Sequence, residues 1–184
     1  MTSIRRLTSD DLPRLRQFWV EHWDGEEMVT RGNIYRPEQL DGFVIEDDGE
    51  WIGLLTFFVK DGECEVTSLD SLREGQGLGT ELLNAVKEEA RKRNCERLFL
   101  ITTNDNMHAL RFYQKRGFEL VAVHRGAVNE SRKIKSSIPL IGFDGIPIRD
   151  EIELELSLRG VEPRSNLAFW FLEIVTSGFC PSSQ

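Results

Sequence analysis

"LREGQGLGTELLNAV", residues 72–86, sets glycine at positions 75, 77 and 79 and then runs straight into an amphipathic pattern. Leu78, Leu82, Ala85, Val86 and Ala90 form one stripe, so the spacing predicts a helix that begins directly after the glycines. The first amides of a helix have no intrahelical acceptor, and the helix dipole adds partial positive charge at that end. Glycines let such donors approach an anion, so the stretch reads as a phosphate cradle or as a plain chain reversal. The common nucleotide fingerprints do not fit. A Walker loop needs Lys followed by Ser or Thr after the last glycine, where this chain has Thr80-Glu81. A dinucleotide turn needs Gly-x-Gly-x-x-Gly, and neither Gly75 nor Gly77 begins that spacing.

Working outward, "ECEVTSLDS" (63–71) before the glycines reads as a strand, entered from a turn at 60–62. "GFVIEDDGEWIGLLTFFVK" (42–60) reads as a β-hairpin turning at Asp47–Gly49. Residues 2–7 suggest a short strand, and "TSDDLPRLRQFWVEHW" (8–23) a helix capped by Ser9 or Asp10, with Leu12, Leu15, Trp19 and Trp23 on one face. Residues 24–41 show no period and read as a loop with room for one short helix.

Downstream, Glu88 with Lys92 and Glu89 with Arg93 supply helix-supporting pairs. "RLFLIT" (97–102) is apolar throughout, as a strand buried on both faces requires. "NDNMHALRFYQKRG" (104–117) starts on Asn or Asp caps and stops at Gly117, which marks both ends of a helix. "FELVAVH" (118–124) is a strand, and 126–149 has no clear period but a basic cluster at Arg132, Lys133 and Lys135, read as a solvated charge run in preference to a lid over an anionic substrate. In "RDEIELELSL" (149–158), Ile152, Leu154, Leu156 and Leu158 alternate with polar residues, which predicts a half-buried antiparallel strand. The order of elements implies an α/β fold: a mixed, mostly antiparallel central sheet flanked by helices. One domain is expected over 1–160. An apolar extension, 161–184, would pack on the sheet, form a homodimer contact or leave an exposed patch.

The chain has 184 residues, 40% apolar and 29% charged, enough for one substantial core. Asp and Glu outnumber Lys and Arg by 31 to 23, and the net charge of -8 argues against a nucleic-acid partner. Cys64, Cys95 and Cys180 lack metal-ligand spacing, so no metal site is expected and a reduced, cytoplasmic setting is the simple reading. "MTSIRRLTSDDL" lacks the apolar core of a signal peptide, and "LAFWFLEIV" (167–175) is about half the length of a membrane-spanning helix.

Two motifs in this order resemble those of the GNAT N-acetyltransferase superfamily. Its loop runs Arg or Gln, two residues, Gly, one residue, then Gly or Ala; here Glu74 to Gly79 keeps the glycines but begins with glutamate. Its second signature is matched closely by "NMHALRFYQKRGF" (106–118). The resemblance spans residues 2–125 in outline, and the strand at 150–158 corresponds to the family's last one. It implies acetyl-CoA as cosubstrate, with the diphosphate on Glu74, Gly75, Gln76, Gly77, Leu78, Gly79 and Thr80. The pantetheine would lie between splayed strands 63–70 and 97–102, against Ser68, Leu69 and Asp70, with Asn104, Asn106, Ala109 and Tyr113 completing the site.

Acetyl transfer to an amine needs an acceptor for the amine's proton and a donor for the departing thiolate. Asn106, Ala109 and Tyr113 fall on one helix face. A phenol with a reference pKa of about 10 is protonated at neutral pH, so Tyr113 reads as general acid, or else as a core tyrosine. Glu65 occupies the position where histone-type members carry a glutamate base; the alternative is a carboxylate pointing into water, with Glu63 in reserve. His22, beside Trp19 and Trp23, reads as core packing in preference to a place in a substrate pocket, and Arg31 and Tyr35 as contacts to a substrate carboxylate. No cysteine lies beside a base, which favours direct attack over a covalent intermediate. The expected activity is acetyl transfer to a primary amine of a small molecule or peptide. The rival reading, motivated by Glu74, is a CoA-binding sensor without transfer activity.

Overall fold

Seven consecutive buried residues, Trp51 to Phe57, leave their strand without a solvent face, so it must lie inside a sheet covered on both sides. The computed structural model, which describes residues 2–159, shows that arrangement. The chain runs β1 (Ser3–Arg6), α1 (Leu12–Trp23), β2 (Met28–Thr30), β3 (Asn33–Tyr35), β4 (Asp41–Asp47), β5 (Glu50–Lys60) and β6 (Glu63–Ser71). It continues with α2 (Leu78–Lys92), β7 (Arg97–Thr103), α3 (Met107–Gln114), β8 (Glu119–His124), α4 (Ala127–Ile134) and β9 (Glu151–Ser157). Seven strands form one sheet in the order β1-β4-β5-β6-β7-β9-β8, while β2 and β3 make a separate hairpin. Within the large sheet only β6 and β7 are parallel.

That parallel pair decides where the site lies. Its ladder runs from Glu63–Arg97 to Val66–Leu100 and ends there, although β6 continues to Ser71 and β7 to Thr103. A bulge bends β6 at this point: Val66 pairs with Phe57 and Ser68 with Thr56, so Thr67 has no opposite residue. The Thr56 hydroxyl bonds both the Thr67 and Ser68 hydroxyls at 2.7 Å, which fixes the bend in a buried position. Past the bend the two strands part.

One face of the sheet is covered by α2, whose Leu82, Leu83, Val86 and Ala90 are completely buried against β4 to β7. The other face takes α1, with Leu15 and Trp19 against Val44 and Leu54. Truncating any of these leucines to alanine would cost about 2–5 kcal/mol.

Several local expectations change. Residues 24–41 form the β2–β3 hairpin, turning through Arg31 and Gly32 at positive φ (48° and 75°), and a 3-10 turn at 37–39. Three-residue strands are too short to show a period. Residues 126–149 contain α4, in which only Val128 and Ser131 are buried, so its apolar face is one residue wide. The helix at 8–23 opens on a 3-10 turn tied by the Asp11 carboxylate, which accepts from the Thr8 amide at 2.8 Å, rather than on a Ser9 or Asp10 cap. Glu89 pairs with Arg93 as expected, but Glu88 pairs with Arg91 instead of Lys92. The first half of the polar side of β9 does not face water, since Glu151 and Glu153 are 4% and 5% exposed, while Ser157 at its end is exposed as expected. The expected extension at 161–184 lies outside the described residues.

Candidate active site

The glycine turn joins β6 to α2 at the open end of the parted strands. Gly75 and Gly77 have φ of 75° and 79°, a left-handed backbone that other residues adopt at a cost. Gly79 answers a different need, because an added Cβ would lie 3.0 Å from Phe112 and 3.4 Å from Leu69. Its hydrogen lets the start of α2 press against α3. The Thr80 and Glu81 amides return to the Gly77 carbonyl at 2.9 and 3.1 Å. Among the described residues no acceptor meets the amides of Gly75 to Gly79, which leaves five unpaired donors at a helix N-terminus. Glu74 and Gln76 are exposed, and Glu74 has no ion pair among the described residues.

Positive charge reaches this turn from a residue that the sequence reading did not single out. Arg116 donates to the Thr80 hydroxyl from Nε and Nη2 at 3.0 and 2.6 Å, while its guanidinium lies 3.6 Å from the Phe112 ring centre. The link spans 36 residues, and only its place inside "FYQKRGF" could have drawn attention to it.

Tyr113 projects from α3 into the core between Phe112 and Phe118, with ring centres 5.1 and 5.4 Å away. Burial, and then the Asp70 charge, hold its phenol well above the ordinary value, and Arg116 opposes this. Its hydroxyl has no hydrogen-bond partner among the described residues. Asp70, the last residue but one of β6, accepts from the Trp23 indole at 3.1 Å. Burial pushes its carboxyl up to about 6 against that hydrogen bond and against the His22 charge.

Of the other expected contacts, Asn106 caps α3 by accepting from the Ala109 amide at 3.0 Å. The Asn104 side chain is already engaged: it donates to the Pro147 carbonyl and accepts from the Arg149 and Asp150 amides. It therefore holds the approach to β9. Ser68 is 4% exposed and bonded to Thr56.

Two cavities flank the β2–β3 hairpin. One, of about 590 Å³, opens where the strands part and is lined by Thr67, Ile101 and Asn106 on the strand side and by His22, Met28 and Phe143 opposite. The other, of about 540 Å³, lies beside the closed part of the ladder and is lined by Glu63, Glu65 and Arg97. Thr30 borders both.

Glu65 thus faces the second cavity. It is 6% exposed and accepts from the Tyr35 hydroxyl at 2.6 Å and the Thr30 hydroxyl at 3.0 Å. Burial raises its pKa, and those two hydrogen bonds with Arg31 work the other way. Tyr35 and Arg31 are occupied by the protein's own carboxylates, since Arg31 donates to Glu153 at 3.1 Å and through its amide to Glu151 at 2.9 Å. The basic cluster is likewise internal: Lys135 donates to the Trp23 and Glu27 carbonyls, and Arg132 to the Pro139 and Ile148 carbonyls. Only Lys133, paired with Glu130, matches a solvated charge run.

The chain belongs to the acetyltransferase (GNAT) family, whose model matches residues 2–118. It is 45% identical over 139 residues to the uncharacterized protein YdhI of Bacillus subtilis (strain 168), covering 75% of this chain and 87% of that one. A GNAT family acetyltransferase from Elizabethkingia anophelis with acetyl-CoA bound superposes with a TM-score of 0.62 at 22% identity, over 85% of this chain and 97% of that one. The ribosomal-protein-S18-alanine N-acetyltransferase of Escherichia coli gives a TM-score of 0.60 at 19% identity, over 89% and 98% of the two chains. These likenesses show the fold, a large mixed sheet flanked by helices. Among the described residues no helix is long and apolar enough to cross a membrane.

Proposed function

We propose that the protein transfers the acetyl group of acetyl-CoA to a primary amine of a small molecule or peptide in the cytoplasm. The observation that carries this reading is the gap beyond Val66 and Leu100, with the unpaired amides of Gly75 to Gly79 following β6 at its open end and the Tyr113 phenol close enough to Asp70 on β6 to feel its charge. Acetyl-CoA supplies an activated thioester. The amides of residues 75–79 and the dipole of α2 suit its diphosphate, and Arg116 adds the positive charge that Glu74 withholds. The main chain of Ser68, Leu69 and Asp70 has lost its partner on the β7 side, which suits the amides of a pantetheine arm. Asn106 and Ala109 start the helix that carries Tyr113.

Tyr113 donates to the departing sulfur. Because its pKa is raised, the phenol keeps its proton throughout the neutral range and is always available as a donor. The thiolate that forms, with a pKa near 8.5 as for a cysteine, is stabilised by that hydrogen bond and takes up a proton. Attack is direct: among the described residues Cys64 and Cys95 are both buried and burial raises both thiols, so neither offers a thiolate nucleophile. Glu65 is one candidate for the amine's proton, reached through the Thr30 hydroxyl that borders both cavities.

A thermal-shift titration tests the first step. Acetyl-CoA at about 100 times its Kd stabilises the protein by about 2.7 kcal/mol if the turn holds it. Release of free CoA thiol with a panel of amines tests the second. Glu74 favours one rival, a CoA-binding sensor; stabilisation by acetyl-CoA without thiol release from any amine would select it.

A further inference from the structure

We propose that the acceptor amine lies in the cavity at the parted strands, carries an apolar body, and gives its proton to Nε2 of His22. This rests on the acetyl-transfer reading and adds the acceptor class and a catalytic residue.

His22 closes the last turn of α1 and lines the cavity. Its Nδ1 is 2.9 Å from the Phe18 carbonyl, and its ring stacks on Phe18 with centres 4.0 Å apart at 10°. A carbonyl oxygen only accepts, so Nδ1 carries the proton and Nε2 of the neutral ring has a free lone pair. Among the described residues nothing meets Nε2. The ring is therefore held in one tautomer and one orientation with its basic nitrogen unengaged, which is what proton acceptance requires. Glu65, by contrast, faces the other cavity and already accepts from two hydroxyls.

The charged groups around the cavity narrow the acceptor. Asp70 on β6 acts on His22 electrostatically from the strand side. Glu151 on β9 accepts from the Ser131 hydroxyl and the Arg31 amide, one on each oxygen. Lys135 on α4 is bound to two carbonyls. Glu21 and Asp24, on and just after α1, are exposed at the rim. Among the described residues that line the cavity, no free cation awaits a substrate carboxylate, and the one buried carboxylate, Glu151, is engaged on both oxygens. The apolar part of the wall includes Val20, Met28, Val29, Ile101, Ile138 and Phe143, and uncharged polar side chains, several threonines and Asn106 among them, line the cavity beside it. A cavity of about 590 Å³ lies within the usual range for a small organic ligand, roughly 300–1,000 Å³.

In the step, the ammonium form of the acceptor first loses one proton to solvent. The neutral amine's lone pair forms the C–N bond to the acetyl carbon, and the proton then in surplus on nitrogen passes to Nε2. The C–S bond then breaks with its electron pair on sulfur, which receives a proton from the Tyr113 phenol. The imidazolium proton returns to the phenolate through solvent, leaving an acetamide and free CoA thiol.

The test compares 2-phenylethylamine, spermidine and L-alanine as acceptors, with CoA thiol release as the readout, in the full chain and in its His22→Gln, His22→Ala and Glu65→Gln variants. The expected result is a kcat/KM for 2-phenylethylamine at least tenfold above the other two. His22→Gln lowers kcat about 100-fold with the KM for acetyl-CoA unchanged, and added imidazole restores part of the His22→Ala turnover. Glu65→Gln falls less than His22→Gln. Thermal unfolding of each variant separates misfolding from lost chemistry. Preference for spermidine or L-alanine, or a Glu65→Gln loss as large as that of His22→Gln, overturns the inference while leaving acetyl transfer intact. Absence of release with all three amines and other amine classes removes acetyl transfer and this inference with it.

Discussion

The two cavities beside the β2–β3 hairpin have nearly equal volumes, about 590 and 540 Å³, and opposite chemistry. In the one by the closed ladder, charged groups satisfy each other: Arg97 bonds Glu63 and Glu153 at 2.7 Å, and Tyr35 bonds Glu65. In the one by the open ladder, apolar side chains make up more of the lining, and the His22 Nε2 is left without a partner among the described residues. Size alone would not separate them. A surface that has already satisfied its polar groups holds the fold together, whereas one that leaves donors and acceptors to solvent, as at the exposed His22 and Gly75 to Gly77, keeps them available for a ligand.

The largest effect that would break this contrast is expected at Tyr113. Tyr113→Phe should lower kcat about 100-fold, roughly 2.7 kcal/mol of barrier, while calorimetry finds acetyl-CoA affinity nearly unchanged. Equal turnover in variant and parent would remove the phenol from the chemistry. Next comes Gly79→Val, which forces carbon into a position 3.0 Å from the Phe112 ring. It should cost about 1–3 kcal/mol of stability and abolish the acetyl-CoA thermal shift; an unaltered shift would show that the turn is not the diphosphate site.

Asp70 gives a smaller effect with a definite sign. Its folded value of about 6 lies above an unfolded carboxylate near 4, so the native state retains the proton longer. Its contribution to stability is complete below about pH 4 and is lost as pH rises through about 6. Urea unfolding of the parent should decline by on the order of 1–2 kcal/mol over that window from this group, and Asp70→Asn should flatten the decline. An identical slope in both proteins would contradict the burial of this carboxyl. The smallest effect belongs to the charged cavity: Lys60→Ala, on its exposed rim, should change stability by less than about 0.5 kcal/mol and kcat by less than about twofold. A larger loss of turnover there would erase the distinction between the cavities.

Much of the fold was legible because its signals are local. Alternation in "RDEIELELSL", the caps of "NDNMHALRFYQKRG" and the hairpin at Asp47–Gly49 each report a period or a turn within a few residues, and β9, α3 and the β4–β5 pair follow them. The hairpin at 28–35 and α4 were missed because three-residue strands and an eight-residue helix with two buried side chains give no period to read. The site was legible in the same uneven way. The glycines and Tyr113 stand in recognisable spacing, whereas His22 beside Trp19 and Trp23 allows either a pocket or packing, and the structure puts it in the lining of a cavity. Nor does β9 announce that Glu151 and Glu153 are buried, because period two distinguishes two faces without telling which is covered.

What the sequence determined by itself is the pair of elements that short-range chemistry specifies: a glycine turn with free amides feeding α2, and a capped helix carrying a phenol. Only the tertiary structure decided that β6 and β7 part after Val66, that Arg116 reaches Thr80, and that His22 and Glu65 face different cavities. The physical reason is that hydrogen-bond caps and hydrophobic periods act over a few residues. Which groups meet across a cavity depends instead on strand order and on one bulge in β6, both set by contacts between segments far apart in the chain.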